Sequence, residues 1–442
     1  MTAQSRKAVS SSQYGFAPAV SIIIANMIGT GVFTSLGFQL QDLAAGFPIL
    51  LLWALGGVAA LAGALCYAEI GAALPRSGGE YSLLREIYHP AAGFVSGWVS
   101  STIGFSAPTA LAAITFSAYA LSVLAPDAAP AARQALAVCL VVALALIHAS
   151  RRRLSGGLQT FFTAVKIAAI VLFCGGAALL LDAPQPVSFA FSEGDGAVIA
   201  SGAFAVSLIY VSYAYAGWNA AVYITGEIEN PGRNLPRILA VGSLAVAILY
   251  VALNAAFMAA SPASDLVGKV EVGFIAAKSI FGDSAANFVG LAMAGLLIST
   301  VSAMTIAGPR VLQAIGEDMP VFRVLAKTSR DAIPARAIYT QAAIAVFMIV
   351  TSSFDSILVF AGFLTALNSF FAVLGLFVLR RRRPELERPF KTPLVPATPL
   401  AYLSLTGWTL VYTAMSRPVE IAFAAGLIAV GLAAYYAIRP ER

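Results

Sequence analysis

Of the 442 residues, 59% are hydrophobic and 11% charged, against about 25% charge in an ordinary soluble domain. With a mean hydropathy of +0.84, this composition excludes a soluble globular protein and reads as an all-α polytopic membrane protein. The net charge of +6 does not indicate a nucleic-acid partner, because the basic residues fall in short stretches between apolar runs, where they set orientation.

A helix needs about 20 apolar residues to cross a bilayer, and twelve such runs are predicted. The first six lie near residues 16–39, 47–74, 91–124, 132–149, 157–181 and 198–225. The second six lie near 238–260, 285–308, 335–352, 354–379, 399–415 and 419–437. The polar first fifteen residues form a tail with no cleavable leader, so the first span directs insertion. The stretch from Pro75 to Pro90 carries Arg76, Glu80, Arg85 and Glu86 and is predicted to be a short interfacial helix. A second short helix within 261–284 would cap the pathway from the opposite side.

Orientation follows from Lys and Arg. Both tails and the even-numbered loops hold 22 of the 27, so both termini are expected on the cytoplasmic side of a cytoplasmic membrane. The run Arg380 to Arg383 reads as a topology anchor that meets anionic lipid headgroups. Cys66, Cys139 and Cys174 lie in apolar runs and read as small buried hydrophobes. His89 and His148 stand alone. No cofactor, metal site or enzymatic centre is expected, since a nucleophile with its base or a ligand cluster is missing from this pattern.

Two spans contain unusual centres. Met27-Ile28-Gly29-Thr30-Gly31 interrupts the first, and Tyr213-Ala214-Tyr215-Ala216-Gly217-Trp218 interrupts the sixth. Lipid cannot satisfy the backbone groups that an unwound helix frees, so such a break persists only where protein, water or ligand supplies partners. Amides at Gly29, Thr30 and Gly31 would open a half-helix and suit a carboxylate, and carbonyls near Met27 and from Tyr213 to Ala216 would suit an ammonium. A small-residue packing face is the competing reading of one glycine pair; two breaks heading two halves of five spans favour an inverted-repeat transporter. The repeats would be residues 16–181 and 198–379, with the spans in 399–437 trailing.

Lys166 lies deep in the fifth span, where a lysine needs an internal partner. Its ammonium is expected to bridge the broken first span and a hydroxyl of the eighth, Ser299, Ser302 or Thr305, rather than snorkel toward Arg151 to Arg153. Glu69, Glu227 and Glu229 sit near Arg-bearing loops and read as gate ion pairs or solvated ends.

The whole chain resembles the amino acid, polyamine and organocation permeases, and within them the L-type amino acid transporter branch. The resemblance is carried by Ile28 to Phe33, Phe161 to Lys166, Tyr215 to Asn219 with Glu227 to Arg237, Gly308-Pro309-Arg310-Val311, and Leu379 to Phe390. It implies a LeuT-like five-plus-five inverted repeat that moves L-amino acids by alternating access. It further implies that Gly29-Thr30-Gly31 holds the carboxylate, that carbonyls near Met27, Tyr213 and Ala216 hold the amine, that Tyr213 is a lid, and that lysine at position 166 goes with sodium independence. Ala216 departs from the glycine or aspartate common there, and Met304 aligns near the usual hydroxyl position, with Thr305 beside it. No cysteine occurs in the stretch 126–133, so no disulfide-linked accessory subunit is expected.

The expected function is therefore sodium-independent transport of neutral L-amino acids, as an exchanger or with protons. A cationic amino acid or polyamine permease of the same fold is the rival, and it would require carboxylates in the pathway.

Overall fold

The computed structural model describes residues 15–74, 79–150, 156–219, 225, 228–318, 323–328 and 333–438. The tail before residue 15, Arg76, Arg151 to Arg153, residues 220–224 and Glu227 lie outside them. The described residues form no strand; their regular elements are helices.

In chain order, α1 (Phe16–Met27) and α2 (Thr30–Gln39) form the first span, followed by α3 (Phe47–Ala73) and the short α4 (Gly79–Ile87). The third span is α5 (Pro90–Val99) and α6 (Ser106–Leu124), joined by a π-helical turn at Ser100–Gly104. Then come α7 (Pro130–Ser150), α8 (Gly156–Leu180), the one-turn α9 (Asp195–Ile199) and α10 (Gly202–Tyr215), which tightens into a 3₁₀ turn at Ala216–Asn219. The second half holds α11 (Pro231–Ala260), α12 (Ala263–Leu266), α13 (Val272–Asp318), α14 (Arg323–Ala326), α15 (Ala335–Thr351), α16 (Phe354–Arg382), α17 (Ala397–Ser416) and α18 (Pro418–Ile438).

Nine helical segments among the described residues are long and apolar enough to cross a membrane, which makes this a multi-pass membrane protein. They coincide with nine of the twelve predicted runs. The other three form helices of a different character. In the sixth run α10 stops at its break, in the ninth α15 has 17 residues, and in the eleventh α17 carries four threonines and two serines.

Small residues on α3 bring the central helices together, as expected where lipid gives helices no hydrophobic reason to associate and close packing must do so. A Cβ at Gly56 would stand 2.2 Å from Val211 of α10, and one at Gly57 would stand 2.7 Å from Ala247 of α11. These close approaches frame the two broken spans. The predicted short helix within 261–284 is present as α12, followed by the first part of α13, which bends at Gly282 (φ +75). It is tied to the end of α2 by the Gly268 N–H, which donates to the Gly37 carbonyl at 2.7 Å.

Two expectations are corrected. The α4 helix does not simply lie on the surface: Glu80, Leu83, Leu84 and Ile87 are buried while Arg85 and Glu86 stay exposed, because an apolar face at helical spacing docks into the bundle. Cys139 is exposed on α7, whereas Cys66 is buried.

Candidate functional site

The first break is short. Helix α1 ends at Met27, Ile28 turns away (φ −73, ψ 85), Gly29 is extended (φ −123, ψ −152), and α2 begins at Thr30. The leading N–H groups of α2 have no carbonyl one turn back to bind, and they sit at the positive end of its dipole. In the sixth span the α-helix ends at Tyr215 and continues as the 3₁₀ turn that contains Ala216, Gly217 and Trp218.

The breaks meet backbone to backbone. A Cβ on Gly217 would lie 2.3 Å from the Asn26 carbonyl carbon and 2.4 Å from the Met27 nitrogen, and a Cβ on Gly31 would lie 2.7 Å from Ala214 Cα. Only glycine permits either approach. Around this crossing Asn26, Gly29, Tyr213, Ala216 and Gly217 are only partly buried while Met27, Ile28, Thr30, Gly31, Ala214 and Trp218 are buried. The structure thus brings every residue predicted for substrate binding to one place.

Carbonyls freed by the breaks find partners inside the protein. Met27 O accepts from the Gly29 N–H at 2.8 Å and from the Tyr250 phenol, and the same phenol lies 3.2 Å from Ala214 O. A carbonyl oxygen has two lone pairs, so Met27 O is fully used. Tyr213 O accepts the Ala216 N–H. Tyr250 is fully buried on α11 and packs edge-on to Trp53, with ring centroids 5.5 Å apart. Sequence reasoning passed over it; the signal is its polar neighbour one turn on, Asn254, whose side-chain amide donates to Tyr250 O at 2.9 Å.

Lys166 is held inside the protein. Its ammonium donates to Ile28 O at 3.0 Å and to Thr300 Oγ1 at 3.1 Å, with 6% of the residue exposed. It therefore ties α8 and α13 to the first break. The hydroxyl is not one of those predicted. Ser302 is 2.8 Å from His148 Nε2, and the Thr305 hydroxyl donates to Val301 O. Residues two apart on a helix point about 200° apart, so Thr300 and Ser302 cannot both face Lys166.

Behind the sixth-span break, Ser212, Tyr215, Ala216, Trp218, Thr365 and Tyr402 help line a cavity of about 30 Å³, space for one or two waters.

Polar ties flank the breaks. At the Arg-rich end the fully buried Glu69 accepts from Arg380 at 2.9 and 2.7 Å and from the Thr392 N–H at 2.7 Å, with Arg388 at 3.5 Å. This is the ion pair expected there, and Glu229 is exposed. Glu80 accepts from Asn219 at 2.7 Å, reaching the end of the 3₁₀ turn. At the other end Asp355 accepts from Tyr210 at 2.6 Å and pairs with Arg417 at 2.9 Å, while Phe38 of α2 stacks on Phe354 with centroids 5.3 Å apart.

A family model described as amino acid permease matches residues 14–433. The chain belongs to the amino acid permease family. The permease is 29% identical over 436 residues to the large neutral amino acids transporter small subunit 2 of Mus musculus, covering 96% of this chain and 80% of that protein. It is 30% identical over 390 residues to the Homo sapiens b(0,+)-type amino acid transporter 1, covering 87% and 79%. It is 28% identical over 438 residues to the Mus musculus Asc-type amino acid transporter 1, covering 96% and 80%. The protein is thus a transporter of amino acids and not an enzyme.

Proposed function

We propose that this permease carries neutral L-amino acids across the cytoplasmic membrane without sodium, by alternating access, as an exchanger or with protons. The observation that carries the reading is the meeting of the two breaks. The α2 amides at Thr30 and Gly31, with Gly29, receive the substrate carboxylate, and the carbonyls of Tyr213 and Ala216 receive its ammonium. Met27 O, already doubly bonded, shapes the site from behind. Tyr213 closes over the bound molecule and Trp218 and Ala216 bound its side chain.

Neutral substrates are favoured because none of the residues assigned to the pocket carries a carboxylate or guanidinium, and a charged side chain would be buried without a counter-ion. The name of one relative, a large neutral amino acids transporter, agrees with this reading. Sodium independence rests on Lys166, whose ammonium already donates to the Ile28 carbonyl and the Thr300 hydroxyl that a cation would otherwise bridge. The halves 16–181 and 198–379 are the inverted repeats, both termini face the cytoplasm, and the ties at Glu69 and at Asp355 alternate in opening.

Purified permease in liposomes loaded with unlabelled L-amino acids, each of the twenty in turn, tests this by counterflow. Uptake is expected for small or apolar residues and unchanged when choline replaces sodium. Uptake of lysine or putrescine in preference to neutral amino acids would overturn the substrate class, and loss of flux in choline would overturn the role of Lys166.

A further inference from the structure

On the Arg-rich face, away from the breaks, a cavity of about 670 Å³ is lined by Asn230, Gly232, Arg233, Arg237, Pro389 and Phe390 among others. Its wall comes from two segments held in contact: Gly232 at the start of α11 lies so close to Pro389 that a Cβ there would be 2.6 Å from the proline ring. The Pro389 segment is itself pinned, because Arg388 donates to Leu386 O at 2.7 Å and to Arg383 O at 2.8 Å. The cavity is therefore a built depression.

Arg233 and Arg237 are one turn apart, both exposed, and the side chain of neither makes a hydrogen bond or ion pair with another described residue. Of the basic residues nearby, Arg381 and Lys391 do not line the cavity and three others are held. Arg380 is held by Glu69, Arg383 by Glu86 at 3.0 Å and Arg382 by Ile87 O at 3.2 Å. Two unpaired cations in the first two turns of α11 also oppose its dipole, an arrangement that an anion offsets. Glu229, exposed just ahead of the helix, is the nearest described carboxylate in the chain.

Below the arginines the large exposed side chains of α11 are Val241 (48%), Leu244 (53%) and Ile248 (63%). With Arg233 and Arg237 they fall within about 80° of one helix face at 100° per residue. The helix has 30 residues, roughly 45 Å at 1.5 Å each, which equals the bilayer with its headgroup layers. Its first two turns therefore lie at headgroup depth and the apolar stripe lies in the hydrocarbon.

We propose that this cavity binds the phosphate headgroup of an anionic phospholipid, held by Arg233 and Arg237, with an acyl chain lying along Val241, Leu244 and Ile248. Guanidinium groups take phosphate through paired charge-assisted hydrogen bonds, and basic pockets beside membrane helices select such lipids. A zwitterionic lipid brings its own cation to the site and competes poorly.

The test is native mass spectrometry of the full-length permease in detergent, titrated with dioleoyl phosphatidylglycerol, dioleoyl phosphatidylcholine or inorganic phosphate. One saturable phosphatidylglycerol is expected, with the affinity falling roughly fivefold for Arg233→Gln or Arg237→Gln and about thirtyfold for the double variant. Arg381→Gln is expected to leave it unchanged, and counterflow by the double variant confirms that it is folded. Leu244→Ser is expected to weaken the lipid without creating phosphate binding. Equal binding of phosphatidylcholine, retention of phosphatidylglycerol by the double variant, or displacement of the lipid by inorganic phosphate at equal concentration would overturn the proposal.

Discussion

Gly217→Ala is the most informative single change, because its consequence can be worked from distances. The added Cβ would sit 2.3 Å and 2.4 Å from the Asn26 carbonyl carbon and oxygen and 2.4 Å from the Met27 nitrogen. These are backbone atoms, so no rotamer change relieves the overlap. Carbon atoms rest at about 3.5 to 4.0 Å, so the two broken spans must separate by roughly 1 Å. Overpacking of this kind costs about 1 to 3 kcal/mol. Gly31→Ala is next in the series, with its Cβ 2.7 Å from Ala214 Cα and Cβ, and Gly29→Ala is the control, with its nearest neighbour at 3.9 Å and a backbone any residue can adopt. Thermal unfolding in one detergent, with counterflow measured in parallel, is expected to rank Gly29→Ala as stable within about 1 kcal/mol and Gly217→Ala as the least stable. Counterflow by Gly217→Ala is expected to fall by roughly a hundredfold, since a 1 Å displacement of groups that position a ligand can cost that much. Wild-type behaviour of Gly217→Ala, or equal damage from Gly29→Ala, would refute the claim that the breaks touch there.

Other substitutions probe the groups around the crossing. Tyr250→Phe removes the donor shared by Met27 O and Ala214 O; a loss of about 1 to 3 kcal/mol is expected from stranding a buried carbonyl, read as a lower melting temperature. Lys166→Met removes the donor to Ile28 O, leaving Thr300 with Leu296 O alone, and is expected to abolish most flux in either sodium or choline, while Ser302→Ala is expected to keep it, both read by counterflow. Arg380→Gln leaves the buried Glu69 with Arg388 and the Thr392 N–H only; about 1 to 3 kcal/mol of stability is expected to go, with a shift in the access of a thiol reagent to the Arg-rich end.

The first break was legible because Gly29-Thr30-Gly31 in an apolar run can hardly be a continuous span, and the second because polar and small residues from Ser212 to Ala220 occupy the centre of the sixth run. What could not be read was which partner completes each group. Thr300, Ser302 and Thr305 are equivalent in composition, and only the rotation of α13 about its axis, set by packing beyond its bend at Gly282, turns Thr300 toward Lys166. Tyr250 looks like any aromatic of an apolar helix; its role depends on α11 crossing directly behind both breaks. Glu80 shares an interfacial segment with Arg85 and Glu86, yet it is buried beside Asn219. The span count was read from apolar length alone, a criterion that the break after Tyr215 and the hydroxyls of α17 do not meet.

The central claim is that the two breaks together hold the backbone of an α-amino acid, and competition against labelled L-leucine in counterflow tests it most directly. Leucine is expected to compete, while leucinamide, which lacks the carboxylate, and N-acetyl-leucine, which lacks the ammonium, are both expected to fail. Competition by either derivative as strong as that of leucine would contradict the claim.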